Sequence, residues 1–297
     1  MYSQISSNRR RTVILITVFV LVIGLIGWVY GEYSGAGPNA VGFAVGISII
    51  MALFSYYAGD KIALLAAGAR GPLKKTDAPE LFRLLENLAI ASGVPAPKLY
   101  LIPDGAINAF ATGRDPAHAS VAVTAGAVQK LEKTELEGVL AHELSHVKNY
   151  DIRYMLLVAV LVGAIVLLAD WLRNAFFWGG GKRREERDSG GGLIVLIGLL
   201  IAILAPLLAQ LIKMAVSRQR EYLADASGAL LTRYPEGLAS ALEKISRDTD
   251  PLDRANEATA HLYFSNPFGN VSSAVVRLFS THPPVEERVK RLRTMAV

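Results

Sequence analysis

Four uncharged apolar runs interrupt an otherwise polar chain, and their lengths predict membrane helices rather than core segments. Val13 to Tyr30 runs for 18 residues, about 27 Å as a helix, close to the ~30 Å hydrocarbon core of a bilayer. Asn39 to Gly59 runs for 21 residues, with Tyr56 and Tyr57 placed as an interfacial belt and Gly42 and Gly46 spaced for helix packing. Tyr154 to Ala169 supplies 16 residues before Asp170, and Leu193 to Ile212 supplies 20, interrupted by Pro206. Arg9, Arg10 and Arg11 ahead of the first run, with small residues at Ser34 to Ala36 behind it, imitate a cleavable signal peptide, but an apolar segment this long favours a retained anchor.

Basic residues orient these spans. Three arginines precede the first run, the loop from Gly31 to Pro38 has none, and Lys61, Arg70, Lys74 and Lys75 follow the second, so both outer flanks read as cytoplasmic. The loop from Leu172 to Gly192 breaks the pattern with Arg173, Lys182, Arg183, Arg184 and Arg187, which suits a shallow or re-entrant second hairpin. Four stretches follow: a transmembrane hairpin over 1–59, a first catalytic half over 60–153, the second hairpin over 154–212 and a second catalytic half over 213–297. Either topology leaves the two polar halves on one side of the membrane.

Within the polar halves, Asp77 to Ala91 predicts a helix with Asp77 as N-cap and Gly93 at its exit. Lys98 to Pro103, Asn108 to Gly113 and Ser120 to Thr124 are short alternating runs that predict a small antiparallel sheet. Thr134 and Glu137 form a capping-box pattern opening a helix that runs to about Asn149. Further helices are expected over Lys213 to Leu231, Pro235 to Arg247 and Pro284 to Met295. The fold class is α+β, mostly helical, within an integral membrane protein of two to four transmembrane helices.

Composition narrows the chemistry. The chain is 52% hydrophobic and carries no cysteine, which excludes disulfides, thiolate nucleophiles and iron–sulfur clusters and leaves His, Asp and Glu to hold any metal. Its net charge of +5 suits an anionic partner, yet the basic residues do not cluster with interleaved aromatics, so nucleic acid is not expected. A lipid bilayer is.

The decisive pattern is His142, Glu143 and His146 in AHELSHV. Residues four apart share a helix face, so both imidazoles can reach one ion while Glu143 turns towards the ion's open position. With 5 His and 15 Glu in the chain, chance supplies on the order of 0.004 such matches, so the pattern calls for a functional reading. A catalytic zinc site needs a third protein ligand. Glu221 in SRQREYLAD offers one, with Asp225 one turn on to accept the free ring N–H of a zinc histidine. By spacing alone the same two residues read as an exposed acidic pair compensating Arg218 and Arg220; the HELSH helix favours the ligand reading.

HELSHVKNYD (His142 to Asp151), SRQREYLAD (Ser217 to Asp225), NAFATG (Asn108 to Gly113) and FSTHPP (Phe279 to Pro284), in this order among the apolar runs, resemble the HtpX family of bacterial membrane metalloproteases. The eukaryotic CAAX prenyl proteases are similar but longer, with more spans. The resemblance covers nearly the whole chain. It implies a gluzincin-like zinc endopeptidase of the bacterial cytoplasmic (inner) membrane, linked to heat-shock stress, that helps clear misfolded membrane proteins. It also implies one Zn2+ per chain on His142, His146 and Glu221, with Glu143 as the catalytic acid/base.

Mechanistically, zinc polarises the scissile carbonyl and acidifies a bound water while Glu143 carries the proton. His282 is a candidate second donor to the oxyanion, or else a surface residue capping the last helix. Asn108, Ala109 and Phe110 belong either to an exposed edge strand that binds a substrate's main chain or to a plain buried strand. His118 and His261 have no partner pattern. If the helices bearing His146 and Glu221 continue unbroken into their apolar runs, the ligands stand about 12 and 14 Å above the apolar boundary. The rival to an enzyme is a membrane-bound chaperone-like or interaction module with a structural metal; a structural site has four protein ligands and no use for Glu143.

Overall fold

The structure is a computed structural model in which residues 2–161, 163, 218–254, 259–267 and 283–295 are described. Most of the second apolar hairpin, including Asp170 and the basic loop after it, and His282 lie outside the described residues.

The first two apolar runs form long helices, α1 (Tyr2–Ser34) and α2 (Pro38–Ala66), both long and apolar enough to cross a membrane. Their outer faces expose Leu21, Phe43 and Ile50 at 66–70%, which suits a hydrocarbon surrounding and not water. The two helices approach at Gly27 and Gly31 of α1, where a Cβ would meet Ala44 and the Gly37 carbonyl at 2.5 Å. Gly42 and Gly46, the spaced pair expected to pack, have no described atom within 4 Å of a Cβ; spacing marks a face but not the face that is used.

A third helix, α6 (residues 151–161), packs with them. Leu15 and Phe19 of α1 pack against its Tyr154, Leu157, Val158 and Leu161, and Gly59 of α2 admits the Leu156 side chain. Guanidiniums lie over aromatic rings at this junction: Arg9 and Arg153 over Tyr150, Arg114 over Tyr57, and Arg220 over Tyr154.

The globular part is built around α5 (Lys133–Lys148), which is buried from Glu135 to Val147 except at Glu137. Its neighbours are α3 (Pro79–Ser92), the sheet, α7 (Arg218–Thr232) and α8 (Pro235–Arg247). Leu81, Leu85 and Leu88 of α3, Val139, Leu140, Leu144 and Val147 of α5 and Leu238 and Leu242 of α8 share one core with Val121 and Val123 of the sheet. A short helix, α4 (Ala125–Lys130), precedes α5, and α9 (Val285–Arg293) packs beside α7 and α8.

Helix starts differ from the capping expected. Residue Glu135 accepts from the backbone N of Glu132 at 2.7 Å, so the box is Glu132/Glu135 and not Thr134/Glu137. Asp77 is spent on a turn, accepting from Lys74 N, and α3 begins at Pro79. Gly93 closes α3 in the left-handed conformation as expected.

Strands β1 (Lys98–Ile102), β2 (Ala109–Gly113) and β3 (Ala119–Thr124) lie in the order β1-β3-β2. The sheet is mixed rather than antiparallel. β2 and β3 are joined by a tight connection and run antiparallel, whereas β1 joins the far side of β3 in parallel. Alternation is the same in either arrangement, so strand direction was not readable from it.

The helix carrying the histidines does not run on into the third apolar run. Asn149 caps α5, Tyr150 takes φ 60°, and Asp151 opens α6. A tyrosine in the left-handed region costs about 1 kcal/mol or more, which the surrounding contacts must offset. The unbroken helix on which the height of about 12 Å for His146 rested is therefore interrupted.

Candidate metal and active site

Gly138 and Gly228 let other helices approach α5 closely. A Cβ on Gly228 of α7 would lie 3.0 Å from the backbone N of His142, so α7 crosses α5 at the histidines. One and two turns earlier on α7, Asp225 and Glu221 therefore face His142 and His146. All four side chains are buried, so the exposed-pair reading of Glu221 and Asp225 does not hold.

His142 Nε2 and His146 Nε2 are 3.1 Å apart, Glu221 Oε2 is 3.7 Å from the first and Glu221 Oε1 is 3.6 Å from the second. One ligand atom from each of the three falls within a 4.8 Å cluster. Two nitrogens bound tetrahedrally to one zinc at about 2.0–2.1 Å would stand about 3.3–3.4 Å apart, so the donor set fits such an ion. Each ring is held from behind: His142 Nδ1 lies 3.0 Å from Asp225 Oδ1, and His146 Nδ1 lies 3.0 Å from Asp151 Oδ2. These contacts turn both Nε2 atoms towards the common point and raise their basicity.

The charge balance points the same way. Among the described residues, four buried carboxylates (Glu143, Asp151, Glu221, Asp225) gather here with two buried guanidiniums, Arg220 and Arg288. With all four carboxylates ionised, two further positive charges would balance the cluster, which a divalent cation would supply with both imidazoles neutral. Burial pushes His142 down to about 4 against the pull of Asp225, keeping that ring neutral. Burial also opposes the charged form of His146, but the Asp151 hydrogen bond and the Glu221 charge outweigh it and raise the ring to about 9, so metal binding must displace a proton there. Burial alone would raise Asp225; the Arg288 guanidinium holds it below the usual carboxylate range.

Glu143 shares the pocket, whose walls include Ala111, Met155, Glu221, Leu262, Tyr263 and Phe264. Burial, reinforced by the Glu221 charge, lifts its carboxyl to about 7, while a hydrogen bond from the Ala111 backbone opposes the rise. A carboxyl poised there can both take and give a proton near neutral pH.

That Ala111 contact follows from strand parity. Thr124 N donates to Asn108 O at 3.0 Å, and paired positions alternate along an antiparallel ladder. Asn108, Phe110 and Thr112 thus face β3, while Ala109, Ala111 and Gly113 direct their backbone groups to the outer edge. Part of that edge is already occupied by the chain itself: Ala109 O accepts from Phe264 N at 2.8 Å, and the Asn108 amide exchanges hydrogen bonds with the Ser265 backbone. Phe110 is buried with its ring edge-on to Tyr263. His118 sits on the surface against Asp115, and His261 is buried with Nε2 on the Met155 carbonyl.

Four contributors escaped the sequence reading. Asp151 lies inside the quoted HELSHVKNYD motif, five residues beyond His146, and could have been suspected. Arg288, Phe264 and Asn8 carry no local signal: Phe264 stands edge-on to the His142 ring with centroids 4.9 Å apart, and Arg288 and Asn8 reach the two supporting aspartates from distant parts of the chain.

Comparison with known proteins places the chain in a family. The profile of Peptidase family M48 matches residues 75–296. The Protease HtpX homolog of Dictyoglomus turgidum is 46% identical over 294 residues, covering 99% of this chain and 94% of that protein. The Protease HtpX homolog of Tropheryma whipplei is 44% identical over 298 residues, covering 99% of this chain and 98% of its own. Among solved structures, Ste24p of S. mikatae superposes with a TM-score of 0.52 at 19% identity over 98% of this chain and 67% of that one, a likeness of fold alone. Matched across residues 75–296 by the family profile and nearly end to end by these relatives, the chain belongs to Peptidase family M48 and is a membrane-associated metalloprotease.

Proposed function

We propose that this chain is a zinc-dependent endopeptidase of a bacterial cytoplasmic membrane that hydrolyses peptide bonds of misfolded or damaged membrane proteins. The observation that carries the reading is the convergence of His142 Nε2, His146 Nε2 and Glu221 on one point beside Glu143. His142, His146 and Glu221 would hold the zinc. Such an ion supplies Lewis acidity towards the scissile carbonyl and lowers the pKa of a water.

The protein's own groups do the rest. Glu143 takes the proton of the attacking water and delivers it to the leaving amine nitrogen. Asp225 and Asp151 keep the two imidazoles oriented. Leu262, Tyr263 and Phe264 wall the pocket with apolar surface, which limits water and strengthens the electrostatics inside. A substrate strand is aligned along the outer edge of β2 where Gly113 directs its backbone outward, beyond the stretch at Asn108, Ala109 and Phe110 that residues 264–265 pack against. His282, outside the described residues, is the sequence's candidate for a second oxyanion donor.

The distribution of Arg9–Arg11 and of Lys61, Arg70, Lys74 and Lys75 supports a catalytic domain on the cytoplasmic side. The test is proteolysis of an unfolded membrane protein alongside metal content. Glu143→Gln retains metal and loses activity by 100-fold or more, on the order of what general acid–base catalysis contributes; Glu221→Ala loses both. Equal turnover by wild type and Glu143→Gln would exclude the mechanism.

A further inference from the structure

The geometry points to Asn8 of α1 as a positioning residue for the metal site, acting through Asp151. Asn8 is buried, and its Nδ2 donates to Asp151 Oδ1 at 2.6 Å and to the Asn149 carbonyl at 2.9 Å. Both partners are acceptors, so the amide must present its NH2 group there.

These two bonds bracket Tyr150, the residue with φ 60° where α5 ends and α6 begins. One side chain thus satisfies a carbonyl at the end of the histidine-bearing helix and a carboxylate at the start of the next. Asp151 has two oxygens with separate tasks: Oδ2 faces His146 Nδ1 at 3.0 Å and Oδ1 faces Asn8. Held at both oxygens, the carboxylate cannot rotate away from the ring. The guanidinium of Arg220 stands 3.9 Å from Oδ1, too far for a hydrogen bond to replace the amide.

α1 is therefore more than an anchor. Its cytoplasm-proximal turn supplies a part of the metal centre, about two turns ahead of the place where Leu15 and Phe19 pack against α6. The inference rests on the reading that His146 holds the metal.

The experiment uses the full-length protein in detergent or lipid vesicles and measures zinc affinity by competition with a chromophoric chelator, with thermal unfolding of the metal-free forms in parallel. Asn8→Ala weakens zinc binding about 10-fold, the lower end of what loss of an outer hydrogen-bond partner costs a metal site. Its kcat falls while KM is retained, because the substrate edge at β2 is untouched. Asn8→Asp keeps the size but sets a carboxylate against Asp151, and loses at least as much. Asn8→Ser, which keeps one donor, recovers an intermediate affinity. Leu15→Ala lowers thermal stability yet binds zinc as the wild type does.

Zinc affinities of Asn8→Ala and Asn8→Asp within twofold of wild type overturn the assignment, as does an equal loss in Leu15→Ala. A wild-type chain that takes up no zinc overturns the metal-site reading itself, and this inference with it.

Discussion

Arg288 closes a two-pronged hydrogen bond on Asp225, Nε to Oδ2 at 2.8 Å and Nη2 to Oδ1 at 2.7 Å, and the pair is buried behind His142. Its third nitrogen, Nη1, stands 3.9 Å from Glu221 Oε2, and the guanidinium lies over the Phe264 ring. Arg288→Met should cost about 3–5 kcal/mol of stability, since it strands a buried carboxylate, and should weaken metal binding as Asp225 loses its orientation. Arg288→Lys should not restore either property, because an ammonium cannot form the fork. Denaturant unfolding and metal competition on the two variants check both statements.

Gly228 admits α7 to within contact of the His142 backbone. Gly228→Ala places a methyl group 3.0 Å from His142 N and pushes the two helices apart, at a cost of about 1–3 kcal/mol. Because the same contact sets Glu221 opposite the histidines, metal content should fall along with stability. Full metal occupancy in a stably folded Gly228→Ala would show that α7 is held in place by other contacts.

Removing the metal should destabilise the fold itself, because an ion that binds the assembled His142, His146 and Glu221 set stabilises only the folded state. A ligand at 100 times its dissociation constant adds about 2.7 kcal/mol to the folded state, so excess chelator should lower Tm measurably and zinc should restore it. In Glu221→Ala the chelator-dependent shift should largely vanish. An unchanged Tm in the wild type would mean that the site is not filled under those conditions.

Glu135 provides a pH-dependent test remote from the metal. Its carboxylate accepts from Glu132 N at 2.7 Å, Ser240 Oγ at 2.6 Å and Lys244 Nζ at 2.7 Å. Burial alone would raise its pKa, but the Lys244 and Ser240 hydrogen bonds outweigh it and hold the group below the usual carboxylate range. A lowered folded pKa means stability that is fully present above the unfolded value of about 4.3 and is lost as pH falls through the folded value. Glu135→Gln should therefore cost about 1–3 kcal/mol at pH 7, and the difference from wild type should shrink as the pH drops below about 4. Urea titrations at several pH values measure it.

What could be read from the chain was whatever local spacing encodes. Four-residue periodicity puts His142 and His146 on one helix face, and Pro235 and Arg247 bound a helix that forms over that range. Run length marked α1 and α2, and both carry through as long apolar helices. Strand positions were legible to within a residue or so, because alternation and turn residues are local; strand direction was not, and the sheet is mixed. The capping box shifted by two positions, because several acidic and hydroxyl residues near the start of α5 satisfy the same pattern and the packing of Ser240 and Lys244 selects Glu135 among them.

The sequence by itself thus determined the kind of chemistry: no cysteine, paired histidines one turn apart with a glutamate between them, and carboxylates spaced to face a partner helix. Only the tertiary structure decided how that chemistry is held. Asn8 and Arg288 have no distinguishing neighbours in the chain, and Asp151 has only its place at the end of the HELSHVKNYD motif; they matter because folding brings α1, the α5–α6 reversal and α9 to the backs of two imidazole rings. The physical reason is burial. Charges and hydrogen-bonding groups removed from water must find their partners inside the protein, and those partners are chosen by proximity in space, which spacing along the chain does not specify.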